Sequence, residues 1–251
     1  VTPFAPSDKD DPAPLRLAVW SGPRSLAAPL MRSFAQLPGC VVLDEPLYAA
    51  FLARTGARHP LRERILAQGE PELDRAIARC LAPAPGARLI YQKHMTRHLP
   101  EGADLEWTDA LTNVFLIRDP ARVLASYVAK GIVPELWELG IHQQLEMFER
   151  ASDMLGRACP VVDAEDLRAD PERVLRALCE RVGIAFDARM LRWAPGRRAY
   201  EGPWGAFWYD ALEESTGFIG PSAPPAALTD EAAELAEACR PAYRMLRAHA
   251  L

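Results

Sequence analysis

The sequence predicts an α/β fold organised around a central parallel sheet. Two observations carry that prediction. Short β-type runs recur at 15–20, 40–43, 88–92, 114–117 and 159–163, and the stretches between them space their apolar residues as helices do. Strands alternating with helices are joined by crossovers, which makes neighbouring strands parallel. A chain of 251 residues with 49% hydrophobic content is long enough to bury the core that such a sheet needs, and one domain over 15–251 is expected.

Taken in order, residues 1–14 (VTPFAPSDKDDPAP) are rich in Pro, Asp and Ala and read as a disordered leader. LRLAVW (15–20) is the first strand, and the helix after it, 25–37, is stopped by Pro38-Gly39. CVVL (40–43) is the second strand, followed by helical patterns at 47–54, 60–69 and 72–82. RLIYQ (88–92) and VFLI (114–117) follow as strands, and Pro120 suits the first turn of a helix over 120–130. A longer helical pattern covers 134–156, and CPVVD (159–163) closes the set of strands. Asp170 can cap, and Pro171 open, a helix over 171–182. Residues 192–226 mix Gly, Pro, Arg and aromatics without periodicity and read as a long ordered loop; such loops often cover ligands. The final helix, 228–248, has an apolar face and contains Pro241.

Composition narrows the function classes. The formal net charge of −5 and an isoelectric point near 5.6 give no global attraction to nucleic acid or to an anionic membrane. Any anion site must therefore be a local gathering of Arg and Lys. No apolar run reaches the length of a membrane span, and the N-terminus lacks the basic-then-apolar order of a signal peptide, so a cytoplasmic protein is expected. The five cysteines, Cys40, Cys80, Cys159, Cys179 and Cys239, are dispersed and never form a CxxC pair. This argues against a disulfide framework and against a zinc site, and no metal is expected.

The stretch RLAVWSGPRSLAAPLMRSF (16–34) has the layout of a phosphate cradle: strand, tight turn, helix. Such a turn aims its backbone N–H groups and the positive end of the helix dipole at one point. It lacks the lysine and the Ser/Thr pair of a cradle for Mg·ATP; Arg24 takes the cationic role, and Ser25 is the nearby hydroxyl. In NVFLIRDPARVLASYVAK (113–130), a strand ends on Arg118, and Ser126 lies two turns into the following helix. Open parallel sheets bind ligands outside the carboxyl ends of their strands, so Arg118 and Ser126 form a second anion grip. Two separated grips suggest a doubly phosphorylated nucleotide.

Here the chain resembles the sulfotransferases that use 3′-phosphoadenosine 5′-phosphosulfate. PRS at 23–25 followed by LMRSF is similar to their 5′-phosphosulfate signature, and IRDPARVLASY (117–127) to their 3′-phosphate signature, with the same gap of eight from Arg118 to Ser126. DAEDLRADPERVLRALCERVGI (163–184) and GRRAYEGPW (196–204) resemble later segments of the same family, so the likeness runs from about Leu15 to Trp208. It implies a P-loop-like three-layer sandwich, a sulfonucleotide co-substrate, no metal and a small-molecule acceptor. It also implies donor contacts from Pro23, Arg24, Ser25, Leu26, Ala27, Arg118 and Ser126, with Arg197 and Arg198 closing over the 3′-phosphate. One departure stands out: relatives of the PRSG type carry hydroxyl side chains after the turn, where this chain has Leu26, Ala27 and Ala28.

Sulfuryl transfer needs a base for the acceptor's proton and cations near the leaving oxygen. Glu45, in VVLDEPLY, stands where carbohydrate and protein-tyrosine sulfotransferases carry a glutamate base. Lys93 and His94, in LIYQKHMTRHLP, resemble a lysine and histidine pair of cytosolic sulfotransferases, although here the two are adjacent and point to opposite faces while the strand lasts. His98 is the substitute for His94. Trp20, Trp204, Trp208 and Tyr209 are candidates for stacking on adenine or for shaping an acceptor pocket. Two alternatives remain open at this level. VVLDE also resembles the acidic strand of an Mg·ATP-dependent kinase or NTPase, and Ala27-Ala28 is compatible with a relative whose donor use is altered or lost.

Overall fold

A computed structural model describes residues 13–218, 220 and 227–251. The chain runs β1 (Leu15–Ser21), α1 (Ala27–Phe34), β2 (Cys40–Asp44), α2 (Tyr48–Thr55), α3 (Arg62–Gln68), α4 (Leu73–Leu81), β3 (Leu89–Met95) and β4 (Thr112–Ile117). It continues with α5 (Pro120–Val128), α6 (Leu136–Leu139), α7 (Ile141–Leu155), β5 (Val161–Asp163), α8 (Ala164–Ala169) and α9 (Pro171–Val182). Two short helices follow, α10 (Gly205–Trp208) and α11 (Asp210–Glu214), and then α12 (Asp230–Arg247). The five strands form one parallel sheet in the order β2-β3-β1-β4-β5.

Alternation along β1 builds the layers. Leu17 and Val19 face a core shared with α1 and α9, whereas Ala18 and Trp20 face a second core shared with α4, α5, α7 and α12. Both faces of the sheet are thus covered, giving the three-layer α/β sandwich. β1 lies at the centre; the chain leaves it past β3 to β2 at one edge, then returns through β3 and crosses β1 to reach β4 on the other side. The turn after β1 therefore sits at the topological switch point, where a crevice opens beyond the strand ends.

Local chemistry places the helix starts. Asp119 accepts from the N–H groups of Ala121 (2.9 Å) and Arg122 (3.3 Å) with Pro120 in the first turn of α5, and Asp170 accepts from Arg173 N–H (3.1 Å) with Pro171 opening α9. The pattern over 134–156 is not one helix. It breaks at Gly140 (φ 67°) into α6 and α7, and a Cβ there would come within 2.6 Å of Thr96 Oγ1, which donates to the Gly140 carbonyl at 3.0 Å. The helix α8 was absent from the periodicity, being a single polar-rich turn and a half after β5. Most of the expected leader, residues 1–12, and residues 219 and 221–226 of the late loop lie outside the described residues. The described part of that loop carries α10 and α11 and a bridge between Arg192 and Gly217.

β3 runs to Met95, three residues past the expected end at 92, and this corrects one candidate. Because Lys93 and His94 both lie inside the strand, they point to opposite faces. His94 stacks on Trp20 (4.2 Å between rings) and shares a 3.0 Å hydrogen bond with the Gln92 side chain, deep in the α4–α12 core. Burial, reinforced by the Lys93 charge, pushes its imidazole down to about 3. The late segment is fastened to α1 by a fully buried ion pair: Arg32 Nε donates to Glu201 Oε1 at 2.6 Å, and Arg32 NH1 donates to the Leu212 carbonyl at 2.8 Å.

Removing one partner of that pair leaves a buried charge unpaired, so Arg32→Ala is expected to lower the unfolding free energy by about 3–5 kcal/mol in urea denaturation, and Arg32→Met with Glu201→Leu to recover most of the loss. His94 supplies a pH signature. Its folded value lies below its ordinary one, so the unfolded chain binds the proton first, and stability is complete above pH 6.5 and falls as the pH drops toward 3. Between pH 8 and pH 5 this one group accounts for about 2 kcal/mol, and His94→Phe should flatten the acid limb of the stability curve by that amount.

Candidate active site

The turn after β1 is forced into its shape by its own backbone. Gly22 has no room for a side chain, since a Cβ would lie 2.7 Å from the Leu139 carbonyl oxygen. Arg24 (φ 58°) and Leu26 (φ 68°) then take left-handed conformations, each costing roughly 1–2 kcal/mol for a residue with a Cβ. Ser25 Oγ donates back to the Gly22 carbonyl at 2.7 Å and braces the turn. Leu26 is the N-cap of α1 and offers no side-chain acceptor, so the first amides of α1 begin beside the cavity uncapped by a side chain.

Two arginines from distant parts of the chain lock onto this turn. Arg24 Nε donates to Ser126 Oγ of α5 at 2.9 Å, and its guanidinium lies over the Trp208 ring at 5.7 Å. Arg118, just beyond β4, donates from NH1 to the Arg24 carbonyl at 2.9 Å and from Nε to Glu165 at 3.0 Å. Arg168, in α8 beyond β5, joins them on the cavity wall. Burial lowers both Arg24 and Arg168 below the usual guanidinium range, and the nearby Arg118 charge adds to each shift. Three cations held this close favour an anion among them.

On the other side of the turn sits a buried carboxylate and lysine cluster. Register places Asp44 of β2 beside Lys93 of β3, and Lys93 Nζ donates to Asp44 Oδ1 (3.0 Å), to Glu45 Oε1 and to the Tyr209 hydroxyl (2.9 Å). Tyr209 also accepts from Trp204 Nε1 (3.2 Å) and donates to Asp44 (3.2 Å), while Asp44 Oδ2 accepts from Gly202 N–H (3.1 Å). Burial works against the Lys93 charge, but Asp44, Glu45 and Tyr209 outweigh it and hold the ammonium well above its ordinary value. Burial raises the Glu45 carboxyl; Lys93 draws it back and Asp44 pushes it further up. Glu45 has its own strained backbone (φ 44°), and its Oε2 lies 3.8 Å from His98 Nε2. A raised carboxyl beside a fixed cation is the arrangement expected of a proton acceptor.

These groups share one cavity of about 280 Å³. It brings together Pro23, Arg24, Ser25, Leu26, Ala27, Arg118, Glu45 and Lys93, with Ser126 joined to it through Arg24. Trp204, Trp208 and Tyr209 form part of its wall. It does not include His94, which lies across the sheet, nor Arg197 and Arg198. Those two turn back on their own loop: Arg197 NH2 donates to the Gly202 carbonyl at 2.9 Å, and Arg198 donates to the carbonyls of Ala194 and Pro195. Sequence reasoning missed Arg97 and Arg168 as wall residues. Both stand inside segments that carried recognisable motifs, at positions where an arginine reads as solvated. The two alanines after the turn line the cavity without offering a hydroxyl, so anion contacts on that side fall to backbone amides, Arg24 and Lys93. Among the described residues no cluster of His, Cys, Asp and Glu has the form of a metal site, and no helix is long and apolar enough to cross a membrane.

Comparison with known proteins agrees with this architecture. The profile of the sulfotransferase domain matches residues 15–250. Branched-chain-amino-acid aminotransferase-like proteins 1 and 2 of Arabidopsis thaliana are each 35% identical to the chain over 92% of its length, which spans 41% of theirs. Among solved structures, the sulfotransferase from Alicyclobacillus acidocaldarius superposes with a TM-score of 0.58 at 16% identity, covering 94% of this chain and 95% of that one. The sulfotransferase domain of the Synechococcus PCC 7002 olefin synthase gives 0.51 at 21% identity, covering 93% and 98%. At such identities the structural likeness speaks for the fold, and the profile speaks for the family: this chain belongs to the sulfotransferase-domain family.

Proposed function

We propose that the protein transfers a sulfuryl group from 3′-phosphoadenosine 5′-phosphosulfate to a hydroxyl or amine of a small-molecule acceptor. One observation carries the reading. Along the carboxyl edge of the sheet, in strand order, come a raised carboxyl (Glu45), a fixed ammonium (Lys93), an uncapped helix start with Arg24, and a second guanidinium (Arg118). That is the order of parts an in-line sulfuryl transfer needs: base, leaving-oxygen cation, 5′ grip and 3′ grip.

The donor supplies a sulfuryl group already activated by its mixed anhydride linkage to phosphate. Glu45 takes the acceptor's proton as the acceptor oxygen or nitrogen bonds to sulfur. As Glu45 takes the proton and loses its charge, the Lys93 N–H that it held turns to the oxygen that keeps the electron pair of the broken S–O bond. Arg24 and the first amides of α1 hold the 5′ side, while Arg118 and Ser126 hold the 3′-phosphate. The aromatic wall of Trp204 and Trp208 excludes water, which strengthens each of these interactions. Little supports the Mg·ATP alternative, because Arg24 stands in place of the cradle lysine and the one hydroxyl of the turn, Ser25, is committed to Gly22.

Calorimetric titration with adenosine 3′,5′-bisphosphate, with Mg·ATP as the paired control, tests the donor assignment. The bisphosphate is expected to bind and Mg·ATP not to. Arg118→Ala removes a charge-assisted hydrogen bond of about 1.5–3 kcal/mol and should weaken the bisphosphate by roughly 10–150-fold. Binding of Mg·ATP alone, or of neither, would sink the reading. Glu45→Gln is expected to lower sulfuryl transfer by about 10²–10⁴-fold while leaving bisphosphate affinity nearly unchanged. A loss of binding equal to the loss of rate would remove Glu45 from the role of base.

A further inference from the structure

Arg97 stands apart from the other cations of the cavity. Arg118 and Arg168 lie at the β4–β5 end, beyond the turn, whereas Arg97 follows β3 in the short turn Thr96–His98, at the same end as Glu45 and Tyr48. Its charge is felt at the Glu45 carboxyl, where burial remains the dominant influence. The side chain is 10% exposed, and its neutralisation is incomplete. NH1 donates to the Glu138 main-chain carbonyl at 3.2 Å, and the nearest carboxylate oxygen in an ion pair, Glu138 Oε1, is 4.0 Å away. That carboxylate is shared with His59 Nε2 at 3.7 Å. Arg97 Nε has no hydrogen-bond partner among the described residues, while the guanidinium lies within hydrogen-bonding reach of the neutral Tyr127 hydroxyl, which brings no charge to offset it.

A guanidinium this buried is costly unless a close anion completes it. The donor assigned above extends from the turn toward Arg118, away from Arg97, so the missing anion must come from whatever molecule meets Glu45. We infer that Arg97 binds a carboxylate of the acceptor, and that the preferred acceptors are small hydroxy or amino acids instead of neutral alcohols or amines. The planar fork of arginine suits a carboxylate better than any single-atom acceptor, and Tyr48 and Tyr127 flank the same wall. Arg97 is thereby a specificity-determining residue. This inference rests on the proposed sulfuryl transfer.

The test uses matched pairs of probes: 4-hydroxyphenylacetate and 3-hydroxybutanoate against their methyl esters, with radiolabelled sulfonucleotide as donor and bisphosphate titration run in parallel. The wild-type protein is expected to favour at least one acid over its ester. Arg97→Met should raise KM for that acid by tenfold or more, leaving the ester and the bisphosphate affinity unchanged, and Arg97→Lys should fall between. If Arg97→Met does not fold by its thermal melt, Arg97→Lys carries the comparison. Preference for the esters, an equal effect on acid and ester, or transfer to neither acid while the bisphosphate binds overturns the inference and leaves the donor reading standing. Failure to bind the bisphosphate overturns both.

Discussion

The Lys93 ammonium is the tie on which the site depends. It lies on the central side of the β2–β3 ladder and holds three groups at once: Asp44 from β2, Glu45 from the turn beyond it, and Tyr209 from the late segment. One cation cannot fully offset two buried carboxylates, and the local excess of negative charge is divided unevenly. Asp44 accepts from Lys93, from Gly202 N–H and from Tyr209, so both of its oxygens are occupied. Glu45 has a single close donor, and its second oxygen remains beside the cavity. Adjacent carboxylates with the same chemistry are thus placed in different surroundings, one held by three donors and one with an oxygen turned beside the cavity.

The late segment owes its position to two anchors of different kinds. The Asp44–Tyr209–Gly202 contacts hold it at the sheet edge, and the Arg32–Glu201 pair holds it against α1. Between these anchors Trp204 and Trp208 are laid over the turn after β1. A stretch without periodicity can still be rigid when its polar groups are satisfied by the elements beneath it.

The fold was legible in the sequence because its signals are local. Each of the five strands begins or ends within a few residues of an apolar run, and Asp119-Pro120 and Asp170-Pro171 announce their helices by chemistry that needs no tertiary partner. The break at Gly140 was not legible, since its cause is Thr96, far away in sequence. For the site, Arg24, Arg118 and Glu45 stood out because each follows an apolar strand, where side chains reach the crevice. Arg97 and Arg168 gave no such signal. Their burial is decided by α6 and α8, which the periodicity either merged with a neighbour or passed over. Arg197 and Arg198 show the opposite error: a pair of charges in a loop looks poised for a ligand until the loop's own carbonyls claim it.

The mutual wiring of the two grips has a kinetic meaning. Arg24 reaches across to Ser126, and Arg118 reaches back to the Arg24 carbonyl, so the two grips are held to one another by the protein's own hydrogen bonds. A site held in this way gives up little conformational freedom on binding, which favours tight association. Under the proposed reaction the same economy applies to the spent bisphosphate, which keeps both phosphates and loses only the sulfuryl group. Departure of that product, through the aromatic cover of Trp204 and Trp208, then becomes the slow event of each cycle, and the architecture that grips the donor so firmly also sets the ceiling on turnover.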